Sequence, residues 1–188
     1  MLAHQLLERA RAFDKAVDEA VARRRSPGRD RVFYSLSSAA DHSLLWVALA
    51  AVREATGWGR HGSTVRLTAA LTFESALTNV VLKGLVGRLR PAADAEASGP
   101  LPHGLRRPVT SAFPSGHATA AFTAAAFLSR GDPLGPAYYA LAVLVAASRV
   151  YVRLHHASDV LAGVVLGMAF GRVARRFAPL PPPLTPPG

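Results

Sequence analysis

Residues 148–177 read SRVYVRLHHASDVLAGVVLGMAFGRVARRF: a polar turn with two histidines runs straight into an apolar stretch that closes on arginines. The apolar part, 160–171, ends at Arg172, Arg175 and Arg176. With its flanks it reaches the roughly 20 residues that a membrane-spanning helix needs. Gly163, Gly167 and Gly171 recur every four residues, a small-residue stripe suited to tight helix packing and to a helix–helix dimer. In the turn, His155 and Asp159 stand four apart, so on a helix that begins by His155 they share one face. A carboxylate beside an imidazole fixes its tautomer and holds the other nitrogen ready as nucleophile or base.

Four more apolar segments precede this one, at roughly 43–58, 66–87, 116–129 and 134–148. The second and fourth reach spanning length with their flanks; the first and the small-residue-rich third are marginal. A soluble all-α protein with hydrophobic core helices is the competing architecture. The scarcity of charge between Pro108 and Ser148 favours the membrane. Residues 1–25 form an amphipathic helix: Leu2, Leu6, Ala10, Phe13, Val17 and Val21 make one stripe, while Arg9, Arg11, Asp14, Lys15, Asp18 and Glu19 fill the other face. It is too charged to cross a bilayer and lacks the order of a signal peptide. Packing on the body of the protein and lying on anionic lipid both suit it. Residues 22–31 are a basic hinge with Pro27 and Gly28, and the proline-rich 179–188 is an exposed tail. The expected organisation is therefore an N-terminal helix and hinge (1–31), a membrane domain (32–177) and a tail (178–188). The fold class is an all-α integral-membrane bundle of about five spanning helices.

Composition agrees. Half of the 188 residues are hydrophobic and 18% are charged, which excludes a disordered chain. The absence of cysteine excludes disulfide scaffolds, thiolate metal sites and cysteine nucleophiles. A formal charge of +10 suits an anionic membrane or an anionic substrate, and the apolar content argues against nucleic acid as the partner.

Three polar clusters sit at the edges of apolar segments: Lys83 with Arg90-Pro91, Pro114-Ser115-Gly116-His117, and Ser148-Arg149 with His155 and Asp159. The second is a proline turn opening a helix. There the N–H groups of Ser115, Gly116 and His117 point at an anion with the helix dipole behind them. His117 stands beside that anion as a proton donor. Lys83, Arg90 and Arg149 add cations, and the whole describes phosphoryl transfer. No acidic cluster is available to hold magnesium, so the cations do that work and no metal or cofactor is expected. Asn79, one turn before Lys83, is placed to buttress it. Asp41 reads as a helix cap with His42 beside it, both on the site's side of the membrane and open to a supporting role. Glu74, polar within an apolar segment, is paired with Arg53 as the simplest compensation.

The order K-x6-RP, PSGH, SR-x5-H-x3-D, complete over 83–159, resembles the type 2 phosphatidic acid phosphatase family, the superfamily of lipid phosphate phosphatases and vanadium haloperoxidases. The resemblance implies that His155 is a nucleophile that becomes a phosphohistidine. It implies that Asp159 orients His155 and that His117 protonates the leaving alcohol. Lys83, Arg90, Ser115, Gly116 and Arg149 would hold the phosphate oxygens. His156 competes for the nucleophile's role, but the spacing favours His155. The implied substrate is a lipid phosphate in a membrane, phosphatidate-like or polyprenyl-linked such as decaprenylphosphoryl phosphoribose, with a homo-oligomer possible. Two rivals remain open: a vanadium-dependent haloperoxidase, for which this chain is small, and a non-catalytic membrane assembly subunit. Only two apolar segments precede the first motif where larger members have three. The site therefore falls on the side of the Arg23–Arg31 cluster, which the positive-inside rule makes cytoplasmic.

Overall fold

The computed structural model describes residues 1–91 and 111–181, and among these the regular structure is entirely helical. The N-terminal amphipathic stretch is α1 (Leu2–Ala22). The expected hinge is shorter than the sequence suggests. Ser26 caps α2 (Pro27–Ala39) by accepting from the Arg29 amide, and Pro27 opens the helix where a missing N–H costs nothing. A single 3₁₀ turn (Asp41–Ser43) then leads into α3 (Leu44–Ala55). The expected 43–58 segment is thus only the second arm of a helix pair bent by 73°. The chain turns through a left-handed Ser43 (φ 61°) at the bend.

The next segment begins as α4 (Ser63–Ala76), passes through a π-helical turn (Leu77–Leu82) and finishes as α5 (Lys83–Val86). Gly87, left-handed at φ 58°, stops it in the way glycine commonly ends a helix. After the turn that carries Pro114 come α6 (Gly116–Leu128), α7 (Gly135–Tyr151) and α8 (Ala157–Phe177).

The core is built around α6. Every residue from Ala118 to Leu128 is buried, because a helix of Ala, Thr and Phe has no polar face to turn outward. It packs most extensively on α8, and also on α7 and α4. The glycine stripe of α8 explains how closely. A Cβ added at Gly163 would lie 2.7 Å from the Ser115 carbonyl oxygen, and one at Gly171 would lie 2.5 Å from that of Thr123, with Gly167 similarly set against Thr119. The stripe is therefore spent inside the molecule, and the dimer surface expected from it is not available.

Ser63–Leu85 and Ala157–Phe177 are long and apolar enough to cross a membrane, and α2 with α3 forms a third candidate if the bent pair is one span. Among the described residues, length and composition by themselves thus identify two or three spans. Exposed Val65, Phe73, Val80, Leu161, Val165 and Val173 line the outside of the two long helices, as lipid contact requires.

Helix α1 packs on the body. Val17 and Val21 join the main core, and Asp14, assigned by sequence to the solvated face, is 3% exposed. Leu6, Leu7 and Phe13 remain exposed. At the opposite end of the bundle Arg53 binds Asp132 through both carboxylate oxygens, at 3.2 and 3.0 Å, so its expected pairing with Glu74 is not made. Glu74 instead accepts from Thr78 one turn on, at 2.8 Å. The tail starts by folding back, with Ala178 and Leu180 against the core; residues 182–188 and most of the loop before Ser111 lie outside the described residues.

Candidate active site

His155 lies in the turn between α7 and α8 and is 2% exposed. Arg153 takes a left-handed φ of 56°, and the amides of Leu154 and His155 both donate to the Arg149 carbonyl at 3.2 Å. Arg149 thereby holds the turn by its main chain while its side chain faces the site. The His155 Nδ1 is 2.8 Å from the Ala112 carbonyl oxygen. A carbonyl only accepts, so Nδ1 carries the proton and Nε2 carries the lone pair. Arg90 Nη1 donates to Nε2 at 3.2 Å and to the Leu154 carbonyl at 2.7 Å. Burial first, then the charges of Arg90 and Arg149, pushes the imidazole well below its ordinary pKa. His155 is neutral, with one nitrogen free of its proton and facing cations.

The expected partnership of Asp159 with His155 is not made. Asp159 is fully buried, and its Oδ2 accepts from the His156 amide at 2.9 Å and stands 3.2 Å from His156 Nδ1. Its Oδ1 accepts from Arg88 at 2.6 Å. The reason is where the helix starts. His156 is the N-cap of α8, so Asp159 is its third residue and closes a capping box on the N-cap's backbone. His155 lies one residue outside the helix, where the i,i+4 argument no longer holds. The Ala112 carbonyl fixes the tautomer instead.

His117, in the first turn of α6, has its carboxylate in Asp41: Nε2 is 2.7 Å from Oδ1. Asp41 caps no helix with its side chain. The pair occupies His117 Nε2; the charges of Arg149 and Lys83 act on His117, and those of Arg90, Arg149 and His117 act on His155. Lys83 reaches the start of α6, since a methyl on Gly116 would lie 3.6 Å from its Nζ and 3.8 Å from Asn79 Oδ1. Asn79 donates through its side-chain amide to the carbonyl and the hydroxyl of Ser75, each at 2.9 Å. The Ser115 N–H, expected to face an anion, donates to the Asp159 carbonyl at 3.0 Å. Ser115 Oγ has no hydrogen-bond partner, and neither has the Nε of Arg149, although both atoms are buried. Arg149 Nη1 donates to Ser37 Oγ. For His42 only the backbone is described.

Sequence reading missed Ala112, Arg88, Asp14 and Ser158. Ala112 acts through its backbone and leaves no signal in the sequence. Arg88 had one: it is a third basic residue within the first motif, two positions before Arg90. Arg88 Nη1 reaches Ser158 Oγ at 2.7 Å, and Nη2 reaches Asp14 Oδ2 at 2.7 Å. Asp14 also accepts from the Ser158 amide at 2.8 Å. Its signal was position, for Ala10, Asp14, Val17 and Val21 follow helical spacing and place the carboxylate on the buried stripe.

Comparison with known proteins gives this geometry its context. The model of the PAP2 superfamily matches residues 63–180. The decaprenylphosphoryl-5-phosphoribose phosphatase of Mycobacterium tuberculosis is 32% identical over 147 residues, covering 78% of this chain and 79% of the relative. Two solved structures share the fold at 25% identity. The transmembrane PAP2-type phosphatidylglycerolphosphate phosphatase of Bacillus subtilis has a TM-score of 0.67 over 89% of this chain and 85% of its own. LpxE of Aquifex aeolicus has a TM-score of 0.69 over 86% of this chain and 93% of its own. With the family model covering 63–180 and a relative aligned over most of both chains, this protein belongs to the PAP2 superfamily.

Proposed function

We propose that the protein is a membrane phosphatase that hydrolyses a lipid phosphate monoester in two steps through a phosphohistidine. The observation that carries this reading is the buried, neutral His155: Nδ1–H is held by Ala112, Nε2 faces Arg90, the charge of Arg149 acts on the ring, and Lys83 acts on both arginines. A lone pair among cations is a nucleophile set for an anionic electrophile. In the first step Nε2 attacks phosphorus, the bond to the leaving oxygen breaks, and His117 gives that oxygen the proton from Nδ1. Asp41 stabilises the imidazolium that donates it. In the second step a water oxygen attacks phosphorus while His117 takes the water's proton, and the nitrogen–phosphorus bond breaks. Lys83, Arg90, Arg149, the Ser115 hydroxyl and the start of α6 hold the phosphoryl oxygens in both steps. Arg90 exchanges its bond to Nε2 for one to phosphate.

Cations supply the charge stabilisation, so no metal is required. The name of the mycobacterial relative supports a polyprenyl-linked phosphosugar as substrate. We further assign about five crossings, with the short α6 sheltered by its neighbours, and a site on the cytoplasmic face beside Arg23–Arg31. The test is phosphate release by detergent-purified protein in EDTA, with His155→Ala alongside. The substrates are phosphatidate, phosphatidylglycerophosphate, polyprenyl phosphate and polyprenyl-linked phosphoribose. Release from one lipid, absent in the variant, is the expected result. Release that requires added divalent metal, or that survives the substitution, overturns the mechanism.

A further inference from the structure

The N-terminal helix lies outside the segment that the PAP2 model matches, yet it reaches the histidine turn. Its Asp14 is buried and binds two groups at once: Ser158, at the start of α8, through amide and hydroxyl at 2.8 Å each, and Arg88 at 2.7 Å. Arg88 bridges onward to Asp159 at 2.6 Å. Asp159 is a hub. Its side chain holds the backbone amide next to His155, and its carbonyl holds the Ser115 amide at the mouth of α6. Arg88 and Arg90 therefore grip the turn from two sides, Arg90 at His155 itself and Arg88 at the helix start behind it.

Charge explains why the chain matters. Asp159 is fully buried, and a buried carboxylate is tolerated only when paired and hydrogen-bonded. Arg88 neutralises it, and Asp14 fixes which way the guanidinium points. Arg88 is a quarter exposed, with side-chain exposure of 26%. Without the second carboxylate its long side chain has open directions to swing. Further along α1, Val21 packs on the Tyr34, Tyr151, Val152 and Leu154 cluster that backs the same turn.

We propose that Asp14 is a positioning residue for the reaction: through Arg88 and Ser158 it fixes Asp159, and so sets His155 and the Ser115–Gly116 phosphate turn in one geometry. The amphipathic helix thus braces the histidine turn from behind. This rests on the phosphatase reading, and the test separates the two.

The full-length protein in detergent would be assayed with its best lipid phosphate as wild type, Asp14→Asn, Arg88→Gln, the double variant, and Val17→Ala. The last loosens α1 without touching the ion pairs. Asp14→Asn is expected to lower kcat about ten- to hundredfold with KM within about threefold, as a small displacement of a reacting group would. The double variant is expected to be no worse than Arg88→Gln, because both cut one chain. Val17→Ala is expected to keep kcat within about twofold at a comparable drop in melting temperature. If Asp14→Asn does not fold, Arg88→Lys, which keeps the charge but cannot bridge two carboxylates, is expected to show the same loss in kcat. Wild-type kcat in Asp14→Asn overturns the proposal, as does additivity in the double variant or an equal loss of kcat in Val17→Ala. A wild-type protein inactive on every lipid phosphate defeats the phosphatase reading itself.

Discussion

The two ends of the helical bundle both bury arginine, and they differ in the charge set against it. At the end away from the histidines, Arg53 is held by both oxygens of Asp132, while Arg60 reaches the Arg130 carbonyl and Arg175 the carbonyls that finish α6. At the histidine end, Lys83, Arg90 and Arg149 act on one another; a buried Nε without a hydrogen-bond partner occurs at both ends, on Arg149 here and on Arg60 there. Like charges in low dielectric repel, so that grouping costs stability. Arg53, paired with a carboxylate, serves the fold at one end. At the other, arginine is held against the fold's interest, which is what a site for an anion demands.

The largest effect that tests this contrast is at His155. His155→Ala is expected to lower kcat for lipid phosphate by about 10⁴-fold or more. Measured phosphate release above that residue would place the nucleophile elsewhere. Next comes a matched pair of arginines. Arg149→Ala is expected to cost about a hundred- to a thousandfold in kcat. Arg53→Ala at the far end leaves kcat within about twofold and lowers the melting temperature. Equal kinetic losses at both ends would erase the distinction.

Asp41→Asn sharpens the role of His117. Loss of the carboxylate is expected to lower kcat about a hundredfold on an alkyl phosphate, and much less on an aryl phosphate whose leaving group needs no proton. A loss independent of the leaving group would assign Asp41 to binding.

The pH dependence follows from His155. Burial, Arg90 and Arg149 lower its pKa in the folded protein, so the group binds fewer protons folded than unfolded. Its contribution to stability is present above the unfolded value of about 6.5 and fades as pH falls below it. The same shift keeps Nε2 unprotonated into mildly acidic solution. The enzymatic acid limb of kcat/KM is expected below pH of about 6.5, and a limb at or above neutrality would contradict the burial argument.

The smallest kinetic effect is expected at Asp132. Asp132→Asn breaks the far-end pair, which is mostly buried, at a cost of about 1–3 kcal/mol in stability. Phosphate release per folded molecule is unchanged.

The sequence by itself determined the helical class, the apolar segments and the three motifs, because these depend on local periodicity and on residue types at fixed spacing. Lys83, Arg90, Ser115, Gly116, His117, Arg149 and His155 were all nameable before any coordinates. Tertiary structure decided the partnerships. Asp159 was read as the partner of His155 because four residues separate them. One residue's difference in where α8 begins turned it into a helix-capping hub bound to Arg88. Asp41 and His117 are 76 residues apart, and only the docking of the α2–α3 bend on the mouth of α6 brings them to 2.7 Å. Asp14 and Ser158 are separated by 144 residues, and their bond depends on which face of α1 turns inward. The glycine stripe was legible as a packing surface, but whether it met another copy or another helix was settled by α6, whose small residues allow the closest approach within the chain itself. Local spacing fixes which residue types are available; burial, and the rule that a buried charge must find a partner, decides which of them meet.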